Sequence, residues 1–229
     1  MKILEINDVK KVFGKGDSEV KALDGLSLSV NQGEMVAIMG ASGSGKSTLL
    51  NILGMLDVQT EGDYYVNGKR VNDFKSREMA KMRNEFFGFV VQDFALVPEM
   101  NVENNVKLPL TYSKLSRKQR KERVREFLSK LGIEDKIKNY PHQLSGGQKQ
   151  RVSIARALVN NASVILCDEP TGALDSKNTI KIMELFKKLK EEGKTLVIVT
   201  HEKMVAEYCD RIVMIKDGRI HPNHDMQSE

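Results

Sequence analysis

The stretch Gly40-Ala41-Ser42-Gly43-Ser44-Gly45-Lys46-Ser47-Thr48 has the make-up of an anion cradle. Gly40, Gly43 and Gly45 permit backbone dihedrals that turn successive amides toward one point. A helix starting just beyond them adds its positive end to the same concavity. Lys46 supplies a point charge for the outer phosphates of a nucleotide, and Ser47 a hydroxyl for a magnesium ion. The flanks have the required character: Met35-Val36-Ala37-Ile38-Met39 reads as a buried strand, and Leu49-Leu50-Asn51-Ile52-Leu53 as the first turns of a helix. A flexible Gly/Ser connection is the plain alternative. Strand, glycine-rich loop and helix in that order, with every fixed position filled, favours phosphate binding.

A second constellation is Val164-Ile165-Leu166-Cys167-Asp168-Glu169, which sets two carboxylates at the end of an apolar strand. Ligands bind at that end of parallel sheets. Two adjacent acids leaving a buried strand need compensation, and a magnesium ion with an attacking water would supply it. Asp168 is placed to hold the metal through its water shell, and Glu169 to polarise the water. Alone the pattern is weak, since many strands end in acids; with the phosphate loop upstream it becomes specific.

The elements that must position these groups can be read in outline. Ile6 to Phe13 reads as a strand, and Leu26, Leu28 and Val30 alternate with serines as in a half-buried strand. Tyr64-Tyr65-Val66, Asn67-Gly68 and Lys69-Arg70-Val71 form a hairpin signal, so the opening segment holds an antiparallel ribbon. Phe86 to Val91 reads as a buried strand ending at Gln92, and the following sixty or so residues look helical. Within them Ser116 and Gln119 resemble a capping box, and Val124, Phe127, Leu128 and Leu131 follow at helical spacing. Arg117, Lys118, Arg120, Lys121, Arg123 and Arg125 on that helix read as a solvated face rather than a docking face. Strand, helix, strand from Val164 through Ile180–Lys190 to Thr195–Thr200 implies a parallel crossover. A hairpin over Asp217-Gly218 closes the fold, and the polar tail with His221 and His224 reads as frayed. The expected architecture is a mostly parallel α/β core with an antiparallel ribbon, interrupted near Asp93 to Asn160 by a helical insertion.

The chain has 229 residues, is 40% hydrophobic and 29% charged, and so can bury a core. A formal net charge of +5 suits anionic ligands or an acidic membrane face. Spread along the chain, it does not single out nucleic acid, and no nucleic-acid partner is expected. Cys167 and Cys209 lack metal spacing, which points to a reduced, cytosolic setting. Met1 to Glu5 does not read as a signal peptide. No run approaches the ~18 apolar residues of a membrane span, so any membrane role is expected to come through a partner.

At this point the sequence resembles the ATP-binding cassette (ABC) family. Leu144-Ser145-Gly146-Gly147-Gln148 matches that family's signature motif residue for residue. Gln92 sits where the Q-loop glutamine falls, Ala173-Leu174-Asp175 matches the D-loop, and His201, after the strand ending at Thr200, matches the switch histidine. Phe13 sits where an aromatic, usually tyrosine, stacks on adenine; ordinary core packing remains open for it. Gly172 stands where serine is frequent. The resemblance covers nearly the whole chain. It implies a P-loop NTPase (RecA-like) α/β core from 1–92 and 161–229 with the antiparallel ribbon, and a helical subdomain at 93–160, together one ATPase domain over 1–229. ATP and Mg2+ are the implied ligands. Catalysis is expected from Glu169 as base with His201, Lys46 and Gln92. Nucleotide contacts are expected from Phe13, Val20, Ser42, Gly43, Ser44, Gly45, Lys46, Ser47, Thr48, Gln92 and Asp168, and metal contacts from Ser47, Gln92 and Asp168.

Ser145, Gly146, Gly147 and Gln148 open a helix running through Arg151 to Val159, so they present free amides and a serine hydroxyl at a helix N-terminus, a second anion site. In the family this site faces the γ-phosphate held by another subunit's loop, so two copies sandwich two nucleotides head to tail. Val20 to Leu28, Met39 to Asn51 and Asp168 to Asp175 look like the branch containing the ATPases of macrolide exporters, lipoprotein-release systems, peptide-antibiotic resistance systems and the cell-division pair. That branch implies an ATPase subunit of a bacterial transporter on the cytoplasmic membrane face, driving a separate integral-membrane permease that exports or displaces a peptide, macrolide or lipid-linked cargo. A regulatory cassette controlling cell-wall hydrolases through a membrane partner is the alternative. Chromosome-maintenance ATPases are excluded by the absence of an inserted heptad coiled coil. Ribosome-acting factors carry two cassettes in one chain and this sequence shows one, so that reading is not favoured.

Overall fold

The computed structural model describes residues 1–221. The tail beyond, including His224, lies outside the described residues, and His221 closes the last strand. The elements are β1 (Lys2–Phe13), β2 (Val20–Asn31), β3 (Met35–Met39), α1 (Lys46–Leu53), β4 (Glu61–Val66), β5 (Lys69–Arg70), α2 (Ser76–Phe86), β6 (Phe87–Val91), α3 (Val102–Lys107), α4 (Arg117–Lys130), α5 (Gly146–Leu158), β7 (Val164–Asp168), α6 (Ser176–Glu191), β8 (Thr195–Val199), α7 (Lys203–Ala206), β9 (Arg211–Lys216) and β10 (Arg219–His221). They form two sheets. One is antiparallel, in the order β2-β1-β4-β5; the other runs β10-β9-β3-β8-β7-β6, parallel from β9 to β6 with β10 antiparallel at its edge.

The parallel sheet is buried on both faces, which is why its strands read as unbroken apolar runs. The two-residue period of a strand sorts them between two cores. Val36, Ile38, Val197 and Val199 face α1 and the antiparallel sheet, meeting Leu49, Ile52, Ile6, Leu26 and Tyr64. Met35, Ile165, Cys167, Leu196 and Ile198 face the other way, against Val106 of α3, Val124 and Leu128 of α4, Ile154 of α5 and Phe186 of α6. Each such fully buried side chain contributes about 1.5–3 kcal/mol. Burial also pushes the Cys167 thiol well above its usual pKa, so it packs as a small apolar group.

The hairpins turn where expected. Asn67 and Gly68 have φ of 48° and 72°, and Asp217 and Gly218 have φ of 50° and 72°, the paired positive values of a type I′ turn. The Ser116–Gln119 capping box is present, with Gln119 N donating to Ser116 Oγ at 3.3 Å and Ser116 N to Gln119 Oε1 at 2.8 Å. The basic face of α4 is mixed. Lys118 pairs with its helix neighbour Glu122, whereas Arg120 donates to the Leu115 and Ser113 carbonyls and Arg123 to the Val159 carbonyl at 2.6 Å.

Three local expectations shift. Val71 leaves the hairpin for a 3-10 turn. Phe86 ends α2 rather than opening β6. The stretch after Gln92 is helical only in part, with short turns between α3, α4 and α5. Helix α2 buries no residue fully; its Met79, Met82 and Phe86 only lean on the core, so its apolar signal is too thin to stand out.

Candidate functional site

The parallel strand order decides where the chemistry gathers. β3, β8, β7 and β6 lie side by side, with Ile38 beside Val199, Val199 beside Asp168 and Asp168 beside Val91. Their carboxyl ends share one edge. The loop 40–45 leaves β3 there, His201 follows β8, Asp168 and Glu169 end β7, and Gln92 follows β6. Four segments far apart in sequence thus meet as neighbours, at the edge where open α/β sheets bind ligands.

The loop is held from behind. Gly218 N donates to the Ser44 carbonyl at 3.1 Å. A Cβ on Gly40 would lie 2.1 Å from the Ile215 carbonyl oxygen, and one on Gly45 2.3 Å from that of Ala22. Gly45 has φ 103° and is the N-cap of α1, so the helix's positive end faces the loop's mouth. Lys46 Nζ donates to the carbonyls of Gly40 at 2.8 Å and Ala41 at 2.7 Å. Two of its three protons fix it across the loop and the third is free to point outward. Ser47 is exposed at the first turn of α1.

Glu169 sits in the left-handed region at φ 47°, its amide donating to the Val199 carbonyl at 2.9 Å. Strain of this kind is kept where the surroundings enforce it. Its side chain is 15% exposed, and Oε1 meets Nδ1 of the 67% exposed His201 at 2.9 Å. The carboxylate raises the His201 pKa above 6.5, through that hydrogen bond first and its charge second. Oε2 is buried with no partner among the described residues. A clip not anticipated from the sequence holds the pair together. Thr171 Oγ1 donates to Glu202 Oε1 at 2.9 Å, and Glu202 N donates to Thr200 Oγ1 at 3.0 Å. It joins the segments that carry Glu169 and His201. Nothing in the spacing signals it, because its residues are distant in sequence.

Gln92 is exposed and lies against the backbone of Gly172, where a Cβ would come within 3.1 Å of its Nε2. The missing side chain at Gly172 is what leaves room for the glutamine amide. Phe13 is 45% exposed and Val20 61% exposed, and they are paired across β1 and β2. Core packing is therefore not what Phe13 does; the two form an exposed apolar step, with Lys11 Nζ 4.9 Å over the Phe13 ring.

The Ser145–Gln148 segment opens α5 as expected, with one correction. The serine hydroxyl is not free of the chain, since Gln148 N donates to it at 3.4 Å while Ser145 N donates to Gln148 Oε1 at 2.9 Å. The S-x-x-Q spacing is the signal that could have found this capping box. The hydroxyl proton remains available to an anion, and the amides of Gly146 and Gly147 point from the helix start. Gly147 packs on Asn178, which is held by Asp175 at the N-cap of α6. Burial of Gly147 and the Ala173 carbonyl near Gly146 place this helix start directly on residues 173–178.

The profile of one family, described as ABC transporter, matches residues 23–172. The chain belongs to the ABC transporter family. It is an ATP-hydrolysing cassette of that family, with ATP and Mg2+ as its ligands. The cassette is 50% identical over 218 residues to "Macrolide export ATP-binding/permease protein MacB" of Shigella flexneri, covering 95% of this chain and 34% of that protein. It therefore spans about a third of the length of that curated relative. It is 47% identical over 220 residues to "Uncharacterized ABC transporter ATP-binding protein YknY" of Bacillus subtilis (strain 168), covering 96% of each. The solved "Dimeric Structure of MJ0796, a Bacterial ABC Transporter Cassette" superposes with a TM-score of 0.89 at 44% identity, over 99% of this chain and 100% of that one. The same cassette solved in a post-hydrolysis state bound to ADP and Pi also gives 0.89.

Several features of the cassette fit ATP and Mg2+. Glu169 Oε2 and Ser44 Oγ are buried polar atoms without protein partners. Gly43 faces open space. Among the described residues no group of three or more His, Cys, Asp or Glu could hold a metal. Magnesium takes most of its ligands from phosphates and water, so it needs few from the chain. Among the described residues no helix is long and apolar enough to cross a membrane.

Proposed function

We propose that the chain is the ATPase subunit of a bacterial exporter, pairing with a second copy around two ATP–Mg and driving an integral-membrane permease from the cytoplasmic face. One observation carries the pairing. The chain holds two anion cradles, at residues 40–48 and 145–148, and no hydrogen bond or ion pair joins them among the described residues. A head-to-tail pair brings one copy's first cradle against the other's second, giving a closed two-fold assembly.

In this reading residues 1–92 and 161–229 form the nucleotide-binding core and 93–160 a helical subdomain. The loop amides and Lys46 grip the phosphates; Phe13 and Val20 offer a face to adenine. Ser47, Asp168 and Gln92 would hold Mg2+, which when bound neutralises charge on the phosphate oxygens. Glu169 takes the proton of the attacking water at Oε2, the oxygen left free by the chain. His201, fixed through Nδ1, presents its other ring nitrogen toward the γ-phosphate. The macrolide-export relatives and the branch motifs support a macrolide, peptide or lipid-linked cargo. A strain lacking the gene should become more susceptible to one of these drug classes, and unchanged susceptibility to all of them would count against export.

The pairing is tested with two variants. Gly146→Asp has room, since a Cβ there meets nothing closer than 3.5 Å, and a carboxylate in a first helical turn stabilises the helix by about 0.3–1 kcal/mol. It also sets a negative charge where a phosphate must dock. Gly146→Asp should keep or raise the melting temperature yet abolish turnover; Lys46→Ala should abolish turnover as well. Mixed, the two form pairs in which one site takes its loop from the first variant and its signature from the second, and is intact. Hydrolysis should reappear in the mixture; its absence at every ratio would sink the composite site.

A further inference from the structure

Just beyond Gln92 the chain bends in a way side chains rarely allow. Phe94 and Ala95 follow one another with φ of 59° and 45°, in the left-handed region. Two such residues in succession persist only where the surroundings over-determine them. The bend itself supplies two backbone bonds, from Phe94 N to the Val91 carbonyl at 3.0 Å and from Ala95 N to that of Asp93 at 2.6 Å. The carbonyls of both bent residues are taken by one side chain. Arg156 donates from Nη2 to Phe94 O at 2.8 Å and from Nη1 to Ala95 O.

Arg156 stands on α5, the helix whose N-terminus is the second anion cradle. Partial burial takes its guanidinium some way out of water and lowers its pKa. Among the described residues its remaining partner is Ser153 Oγ at 3.5 Å, and no carboxylate pairs with it. A half-buried cation satisfied by two consecutive carbonyls is a clamp on backbone. Arginine's planar fork can grip both at fixed angles, which lysine's single ammonium cannot.

We infer that Arg156 is a positioning residue for ATP hydrolysis: it locks the bend at Phe94 and Ala95 to α5, so that Gln92 and the N-terminal end of α5 move as one body. This rests on the reading of Gln92 as a contact to metal and γ-phosphate. Reorganisation of the phosphates under Gln92 is then felt at Ser145–Gln148 within the same chain, along a path of two hydrogen bonds and one helix.

The test is a kinetic cycle on the full chain with Arg156→Lys, Gln92→Ala and the double variant, with melting temperature and ADP binding as folding controls. Arg156→Lys should lower kcat about 10-fold, the scale of a small misplacement of a reacting group, with KM for ATP changed less than about twofold. In the Gln92→Ala background the same substitution should cost nothing further, because the group it positions is gone. Equal losses in both backgrounds, or a change in KM alone, would overturn the clamp. Undiminished turnover in Gln92→Ala alone would instead overturn the reading of Gln92. A second measurement needs no Arg156 variant. Amide hydrogen exchange on the Glu169→Gln chain should show residues 93–96 and the first turn of α5 gaining protection together when ATP and Mg2+ are added. Protection of either segment without the other would also overturn the clamp.

Discussion

Glu169→Gln should reduce steady-state ATP hydrolysis by about 10²–10³-fold, within the range general-base catalysis supplies, while ATP binding survives and an ATP-bound dimer accumulates on gel filtration. The substitution is nearly isosteric. It keeps a hydrogen-bonding oxygen for His201 and leaves the left-handed backbone at φ 47° and the amide bond to Val199 as they are. What it removes is the one carboxylate oxygen, Oε2, that is buried without a partner among the described residues. Undiminished turnover would eliminate Glu169 as the base.

The same variant has a second readout. In the parent chain the carboxylate holds the His201 pKa above 6.5; in Glu169→Gln a proton titration by NMR should show it fall back toward that value. The consequence for stability has a definite sign. A histidine whose folded pKa is raised contributes stability that is fully present below the unfolded value near 6.5 and is lost as pH rises through the folded value. Parent and variant melting curves should therefore differ most on the acid side of neutrality and converge above it. Because His201 is 67% exposed, solvent screening keeps the difference small.

The other large effect is expected from Gly45→Ala. It should weaken ATP binding by about 100-fold or more, a loss of roughly 3 kcal/mol, and lower the melting temperature by about 5–10 °C. Two costs combine. A Cβ at φ 103° forces alanine into a region that costs about 1–2 kcal/mol. That Cβ also lies 2.3 Å from the Ala22 carbonyl oxygen, and Ala22 belongs to β2, whose pairing with β1 leaves it little room to yield. The loop must then shift, and the amides that converge on the phosphates shift with it. Gly43→Ala is the internal control. Gly43 has φ 78° but nothing within 4 Å of its would-be Cβ, so only the dihedral cost applies. Calorimetric titration with ATP decides the matter, and unchanged affinity in Gly45→Ala would refute this account of the loop.

Where the chemistry is local, the sequence carried it. The phosphate loop, the S-x-x-Q cap of α4 and the two positive-φ hairpins each depend on a few adjacent residues, and their physics is complete within that window. Unbroken apolar runs such as Thr195–Val199 likewise announced strands buried on both faces. Helix α2 escaped because its apolar residues only graze the core. Phe13 could be read two ways until its exposure was known.

The tertiary structure decided which distant groups touch. The order β3-β8-β7-β6 sets the ends of four strands on one edge, and no feature of a single strand encodes its neighbour. Hence the Glu169–His201 bond, the Thr171–Glu202 clip, the seat of Gln92 against Gly172 and the Arg156 clamp are invisible to spacing, since each joins segments brought together only by the packing of the whole sheet. The sequence by itself determined that this protein cradles phosphates and has the parts to cleave them. The fold determined that Glu169 Oε2 is left without a partner among the described residues, because burial and hydrogen-bond partners are properties of the packed chain and not of any stretch of it.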